Sequence, residues 1–156
     1  MTTALTDLSD IEIKRAVYSP ECAQNIAYLC RECFTDAWSL ASVSEMLSAE
    51  QNAVFCADNG KVGFVGASVA GDVADILDVA VMPDYRKKGI GKKLLRTLID
   101  ELTHLGVCEV FLEVRASNSA AISLYTSFGF EKCGERKSYY SSPREDALLY
   151  KLSIRM

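Results

Sequence analysis

The feature that most constrains this chain is a glycine-bearing turn set between a mostly apolar run and an amphipathic stretch. Residues 73–82 read as a buried strand that ends at Pro83, and residues 84–91 follow as Asp-Tyr-Arg-Lys-Lys-Gly-Ile-Gly. Ile90, Leu94, Leu95, Leu98, Ile99, Leu102 and Leu105 then recur at helical spacing, predicting a helix over about 88–105 that Gly106 is placed to stop. Lys87, Lys88, Lys92, Lys93 and Arg96 crowd the end of that helix whose dipole is already positive, while Asp100 and Glu101 stand toward the other end. Such polarity is accommodated most readily when an anion binds there. The two glycines let a polyanion approach free backbone N–H groups, so the stretch is expected to be a phosphate-binding turn.

With 156 residues, the chain is expected to form one domain over 1–156 with a substantial core. A net charge of −4 argues against a generally basic nucleic-acid-binding surface and makes the lysine cluster a local feature. No apolar run reaches the ~18 residues of a membrane span, and the polar first residues lack the regions of a signal peptide. A cytoplasmic location without a membrane partner is expected. The six cysteines include one Cys-x-x-Cys, Cys30 to Cys33, with no second pair or histidine cluster to complete a metal site. They read as buried or idle thiols, Cys108 and Cys133 among them as core residues. No metal is expected.

The remaining elements follow from local signals. Residues 11–17 alternate as a first strand, and Ser19-Pro20-Glu21 starts a helix carrying Ile26, Leu29, Cys30, Cys33 and Phe34. A second helix carries Leu40, Val43, Met46 and Leu47. Strands over 52–57 and 62–69 meet at Asp58-Asn59-Gly60, a hairpin signal. Residues 108–114 form a buried-type strand, and Ser117-Asn118 caps a helix bearing Ala121, Leu124, Tyr125 and Phe128. Strands over 130–135 and 147–154 close the chain, separated by a polar loop bearing Tyr139 and Tyr140. The order β-α-α-β-β-β-α-β-α-β-β predicts an α/β fold, a mixed sheet covered by helices.

The commoner phosphate loops fail here. A Walker A loop needs glycine at Arg86 and Ser or Thr at Lys93, and the dinucleotide fingerprint needs glycine at Leu94. Arg86-Lys-Lys-Gly-Ile-Gly91 instead matches the Arg/Gln-x-x-Gly-x-Gly/Ala signature of the GCN5-related N-acetyltransferases (GNAT). The resemblance extends over Val79-Ala-Val-Met-Pro-Asp-Tyr85, the segment 112–130, Tyr139-Tyr140 and Arg144-Glu-Asp-Ala147, and within the family it points to the bacterial ribosomal-protein-alanine N-acetyltransferases of the RimI type. It implies a mixed, mostly antiparallel sheet of about seven strands flanked by about four helices. It implies acetyl-CoA as co-substrate, with its pyrophosphate on the backbone of Lys87, Lys88, Gly89, Ile90, Gly91 and Lys92. The pantetheine arm would pair with Val79, Ala80 and Val81. Asn118 matches a cofactor-contacting position, and its reading as a helix cap is compatible with that.

The same resemblance implies Glu113 as general base and Tyr125 as general acid for direct attack of an amine on the thioester. Read from the residues alone, Glu113 is equally a surface carboxylate beside Phe111, and Tyr125 a core tyrosine. Trp38, Tyr139 and Tyr140 match the peptide-facing segments, although Thr35-Asp-Ala37 departs from the usual apolar-proline lead-in. The implied acceptor is a protein N-terminus, the N-terminal alanine of a small-subunit ribosomal protein, with no direct nucleic-acid binding. An α-amine has a pKa of ~7.7–8.0 against ~10.4 for lysine, a gap worth roughly 3.4 kcal/mol in deprotonation, and that favours the N-terminal amine. Other N-termini, lysine or small amines, and a CoA-sensing module without catalysis, remain as alternatives.

Overall fold

A computed structural model describes residues 11–154; the first ten residues, read above as lacking a leader, lie outside the described residues. Seven strands form one sheet: β1 (Ile13–Arg15), β2 (Asn52–Ala57), β3 (Gly63–Ala70), β4 (Val73–Val81), β5 (Glu109–Arg115), β6 (Glu131–Tyr140) and β7 (Glu145–Ser153). Their order is β1-β2-β3-β4-β5-β7-β6, and every neighbouring pair is antiparallel except β4 and β5. Four α-helices flank it: α1 (Pro20–Cys33), α2 (Leu40–Ser48), α3 (Ile90–His104) and α4 (Ser119–Ser127). Fold class, strand number and helix number all match the α/β, GNAT-type expectation.

Alternation along the inner strands produces the two apolar layers. In β3, Val65 and Ala67 join Leu94, Leu95 and Leu98 of α3, while Phe64 on the opposite face joins Ile26, Leu29, Val43 and Met46 of α1 and α2. Ser19 starts α1 by accepting the Cys22 N–H at 3.0 Å, with Pro20 at the first helical position, as the sequence signals predict.

One glycine is required by this packing. A Cβ on Gly63 would lie 2.8 Å from the Ala80 carbonyl oxygen and 3.0 Å from Leu94 Cδ1. The oxygen belongs to a paired strand and cannot move cheaply. Gly63→Ala is therefore expected to cost about 2–3 kcal/mol, the scale of overpacking a filled core. Thermal unfolding should show a fall of roughly 5–10 °C, at a few degrees per kcal/mol for a chain of this size.

Three expectations are corrected. The first strand pairs only over Ile13–Arg15. The polar segment expected as a loop is mostly β-structure, since β6 runs to Tyr140 and β7 begins at Glu145. As the edge strand, β6 has no buried residue, so no apolar alternation marked it. Cys133, expected in the core, is exposed because it stands where the β6–β7 register skips between Lys132 and Gly134.

Candidate active site

The parallel pair β4–β5 is where the sheet opens. Only Val73, Ala74 and Asp75 pair with Glu109, Val110 and Phe111, although β4 continues to Val81 and β5 to Arg115. In β4 the register against β3 also skips a residue: Ile76 pairs with Ala67 and Asp78 with Gly66, leaving Leu77 extra. This bulge bends β4 as it leaves β5. The result is a cleft of about 1680 Å³ lined by β4, β5, α4 and the 85–92 turn. Its size exceeds the ~300–1,000 Å³ of ordinary small-molecule pockets.

The helix starts two residues later than the sequence suggested, at Ile90, so Lys87 and Lys88 precede it in the turn. Gly89 caps it in the left-handed region at φ 85°, and Lys87 also has positive φ, at 62°. The first bond of the helix runs from the Lys93 N–H to the Gly89 carbonyl at 3.0 Å. The N–H groups of Ile90, Gly91 and Lys92 therefore have no partner inside the helix. No acidic side chain stands in its first turn, and Gly89, Ile90, Gly91 and Lys92 all line the cleft. A smaller hollow of about 340 Å³ adjoins, lined by Lys92, Lys93, Arg96, Ser127 and Phe128. Arg96 lies 4.8 Å from the Phe128 ring centre, and Lys93 Nζ donates to the Ile11 carbonyl at 3.0 Å.

Along the open edge of β4 the backbone alternates. Met82 donates its N–H to the Val62 carbonyl, so by strand alternation Ala80 turns its polar groups to Phe64 of β3 while Val79 and Val81 turn theirs to the gap. Of the three residues expected to pair with a pantetheine arm, Ala80 is thus engaged in the sheet. The Val81 carbonyl is also met by Arg86 Nε at 3.0 Å and Cys33 Sγ at 3.4 Å.

Glu113 and Tyr125 enter the same cleft from β5 and α4. Glu113 receives Arg136 Nε at 3.2 Å, and its side chain is 34% exposed. Tyr125 is buried, with its ring 5.6 Å from that of Phe130, centre to centre. Its hydroxyl has no hydrogen bond among the described residues and is not one of their buried unpartnered atoms, so it opens to the cleft that it lines. Burial first, then the charges of Asp78 and Tyr140, push its pKa well above the ordinary tyrosine value. The phenol therefore stays protonated at physiological pH. Asn118 caps α4 by accepting the Ala121 N–H at 3.1 Å, as its sequence position signals, and it also lines the cleft.

The far wall of the cleft is held by Arg115. Its guanidinium reaches Asp36 at 2.5 Å, Glu145 at 3.2 Å and the Pro143 carbonyl at 3.1 Å, and lies 4.4 Å from the Tyr140 ring centre. One residue at the end of β5 thereby ties the α1–α2 connection to the β6–β7 hairpin. Tyr139 and Tyr140 both line the cleft and meet edge to face, their ring centres 5.1 Å apart. Trp38 lies behind this wall and donates its indole N–H to Asp78 at 3.2 Å.

Asp78 and Arg115 were not singled out from the sequence. The available signal for Asp78 was a carboxylate inside an apolar strand. The fold makes it conspicuous by setting it beside the bulge and on the cleft wall.

A strand pair thus opens beside an unpaired helix start, with a carboxylate and a protonated phenol facing the gap. The chain belongs to the acetyltransferase (GNAT) family, whose family model matches residues 23–130. Among curated relatives it is 48% identical over 101 residues to the ribosomal protein bS18-alanine N-acetyltransferase of Escherichia coli K12, covering 63% of this chain and 68% of that one. It is 37% identical over 133 residues to the N-alpha-acetyltransferase RimI of Mycobacterium tuberculosis, covering 80% and 82%. The crystal structure of the Escherichia coli ribosomal-protein-S18-alanine N-acetyltransferase superposes with a TM-score of 0.83 at 35% identity, covering 93% of this chain and 96% of that one. The chain is accordingly an N-acetyltransferase of RimI type. Among the described residues no helix is long and apolar enough to cross a membrane.

Proposed function

We propose that this enzyme transfers the acetyl group of acetyl-CoA to the α-amine of a protein N-terminus, most specifically the N-terminal alanine of a small-subunit ribosomal protein. The observation that carries this reading is the convergence of Glu113 and Tyr125 on one cleft that ends at the unpaired N–H groups of the 89–92 turn. The residues fit the co-substrate. Gly89 and Gly91 leave the turn backbone open, three N–H groups precede the first helical bond, and Lys87, Lys88 and Lys92 add positive charge. Val79 and Val81 offer strand-edge groups to an extended arm, and Asn118 stands beside it. Arg96 and Lys92, around the adjoining hollow, extend the cationic surface.

Bound acetyl-CoA supplies an activated acyl group with a thiol as leaving group. Glu113 accepts the proton that the amine loses, directly or through water, and Tyr125 donates its phenolic proton to the departing sulfur. Tyr125 is suited to that task because it retains its proton over the working pH range. Tyr139 and Tyr140 form the acceptor side, braced by Arg115, while Trp38 supports it from behind through Asp78.

The deciding experiment is acetyl transfer from labelled acetyl-CoA to peptides differing only in their first residue, with lysine peptides and polyamines as controls. Peptides beginning with alanine should be preferred. Preferential acetylation of polyamines would overturn the peptide reading, and acetyl-CoA binding without turnover on any acceptor would replace it with a sensing module.

A further inference from the structure

Asp78 is a carboxylate that the acid–base pair above does not use. It stands immediately after the extra residue of the β4 bulge, where β4 parts from β5, on the face that carries Ala80 and Met82 toward α1 and α2. Although part of its surface faces the cleft, the carboxyl group is surrounded by protein. Trp38 Nε1 donates to Oδ2 at 3.2 Å and the Val79 N–H to Oδ1 at 3.0 Å. A carboxylate has about four lone-pair sites, so each oxygen keeps one for a further donor. None of the ion pairs among the described residues includes Asp78. A carboxylate enclosed this way without a cation is costly, and a docked cation relieves that cost.

The surroundings narrow what can dock. The groups facing Asp78 are Cys30 and Cys33 of α1, Trp38 before α2, Tyr125 of α4 and Tyr140 of β6, with Arg86 engaged by the Val81 carbonyl and Cys33. Burial pushes the Cys30 thiol up to about 12 and raises Cys33 and both tyrosines, so none of these four groups is ionised near neutrality. Two carboxylates act on these tyrosines: Glu113, paired with Arg136, is felt at Tyr140, and Asp78, unpaired among the described residues, is the one close enough to Tyr125 to raise its pKa.

We infer that Asp78 is an acceptor-binding residue that docks the incoming amino group as an ammonium, between Trp38 and the Tyr125 hydroxyl. This rests on the amine-acetylating reading of the cleft. Glu113 remains the proton acceptor; Asp78 selects a cationic amine and holds it at the reacting end. The carboxyl group titrates where this can be seen, because burial outweighs its two hydrogen bonds and pushes its pKa up to about 6. Peptide docking is then strongest above that value and fails as Asp78 is protonated below it.

The test uses the full chain with CoA bound and two probes, a hexapeptide beginning with alanine and the same peptide N-formylated. The wild type should bind the free amine roughly tenfold or more tightly, the scale of one hydrogen bond to a charged group. Asp78→Asn should reduce that preference to within about twofold and raise the peptide KM by a similar tenfold, with CoA affinity unchanged. Trp38 is the one tryptophan of the chain, so its emission reports on Asp78 directly. The emission should titrate with a midpoint of about 6, move to lower pH with the free-amine peptide but not the formylated one, and lose this transition in Asp78→Asn. A folded, CoA-binding Asp78→Asn protein that keeps its preference for the free amine overturns the inference, as does a wild type with no preference. A preference in the wild type that Asp78→Asn abolishes, without turnover on any acceptor, supports the docking role and refutes acetyl transfer instead.

Discussion

Tyr125→Phe should lower turnover by about 10²-fold or more, the lower range for removing a general acid, while leaving the affinity for acetyl-CoA within a few-fold. The substitution is unusually clean here. The ring packs edge to face on Phe130, and phenylalanine preserves that contact. The hydroxyl has no protein hydrogen bond among the described residues, so its removal orphans no buried partner. Thermal stability should therefore be unchanged or slightly raised, and a loss of rate cannot be attributed to unfolding. Burial holds the phenol protonated well beyond the ordinary tyrosine range. Wild-type turnover should then show no fall from Tyr125 ionisation up to about pH 10, the ordinary tyrosine pKa. Steady-state and single-turnover rates against pH check both statements. Near-normal turnover in Tyr125→Phe would remove the residue from the chemistry and leave it as core packing.

How much of this was legible in the chain follows from what each residue does locally. The 73–105 unit was readable because its signals are short-range: an apolar strand, two glycines and a helical repeat. Even there the helix begins at Ile90, the first residue of the apolar repeat, since a left-handed Gly89 ends the turn. Helical periodicity leaves that boundary loose by about a residue or two. Glu113 and Tyr125 were identified through a family resemblance; strand alternation alone left Glu113 open between a surface carboxylate and a functional one beside Phe111. What no local pattern carries is pairing across the sheet. The extra residue at Leu77 puts Leu77 and Asp78 on one side of β4, and that depends on register against β3. Arg115 reaches Asp36, 79 positions away, so its bracing role is visible only once α1, β5 and the β6–β7 hairpin are assembled. The second half of the edge strand β6 was missed for a related reason: with neither face buried, it has no hydrophobic alternation to detect.

Glu113→Gln should likewise cost about 10²–10⁴-fold in turnover at neutral pH, with acetyl-CoA binding retained. Glutamine keeps an oxygen to accept from Arg136 Nε, which Glu113 now engages at 3.2 Å, so the contact between β5 and β6 survives. What disappears is the ability to take a proton. That predicts a specific recovery. An α-amine loses its own proton with a pKa of ~7.7–8.0, so raising the pH to about 9 supplies neutral amine without a base. The variant should regain part of its rate between about pH 7 and 9, whereas the wild type should gain much less. A lysine acceptor, with a pKa of ~10.4, should show no comparable recovery over that interval. Asp78 sharpens the interpretation. Its own titration, at about pH 6, lies below the recovery range. Docking of the ammonium weakens as the amine deprotonates, so the recovery is read in kcat at saturating peptide, where it reports proton removal. A variant whose deficit is the same at every pH would instead assign Glu113 to positioning Arg136, and would move the search for the base to a water held on the cleft wall.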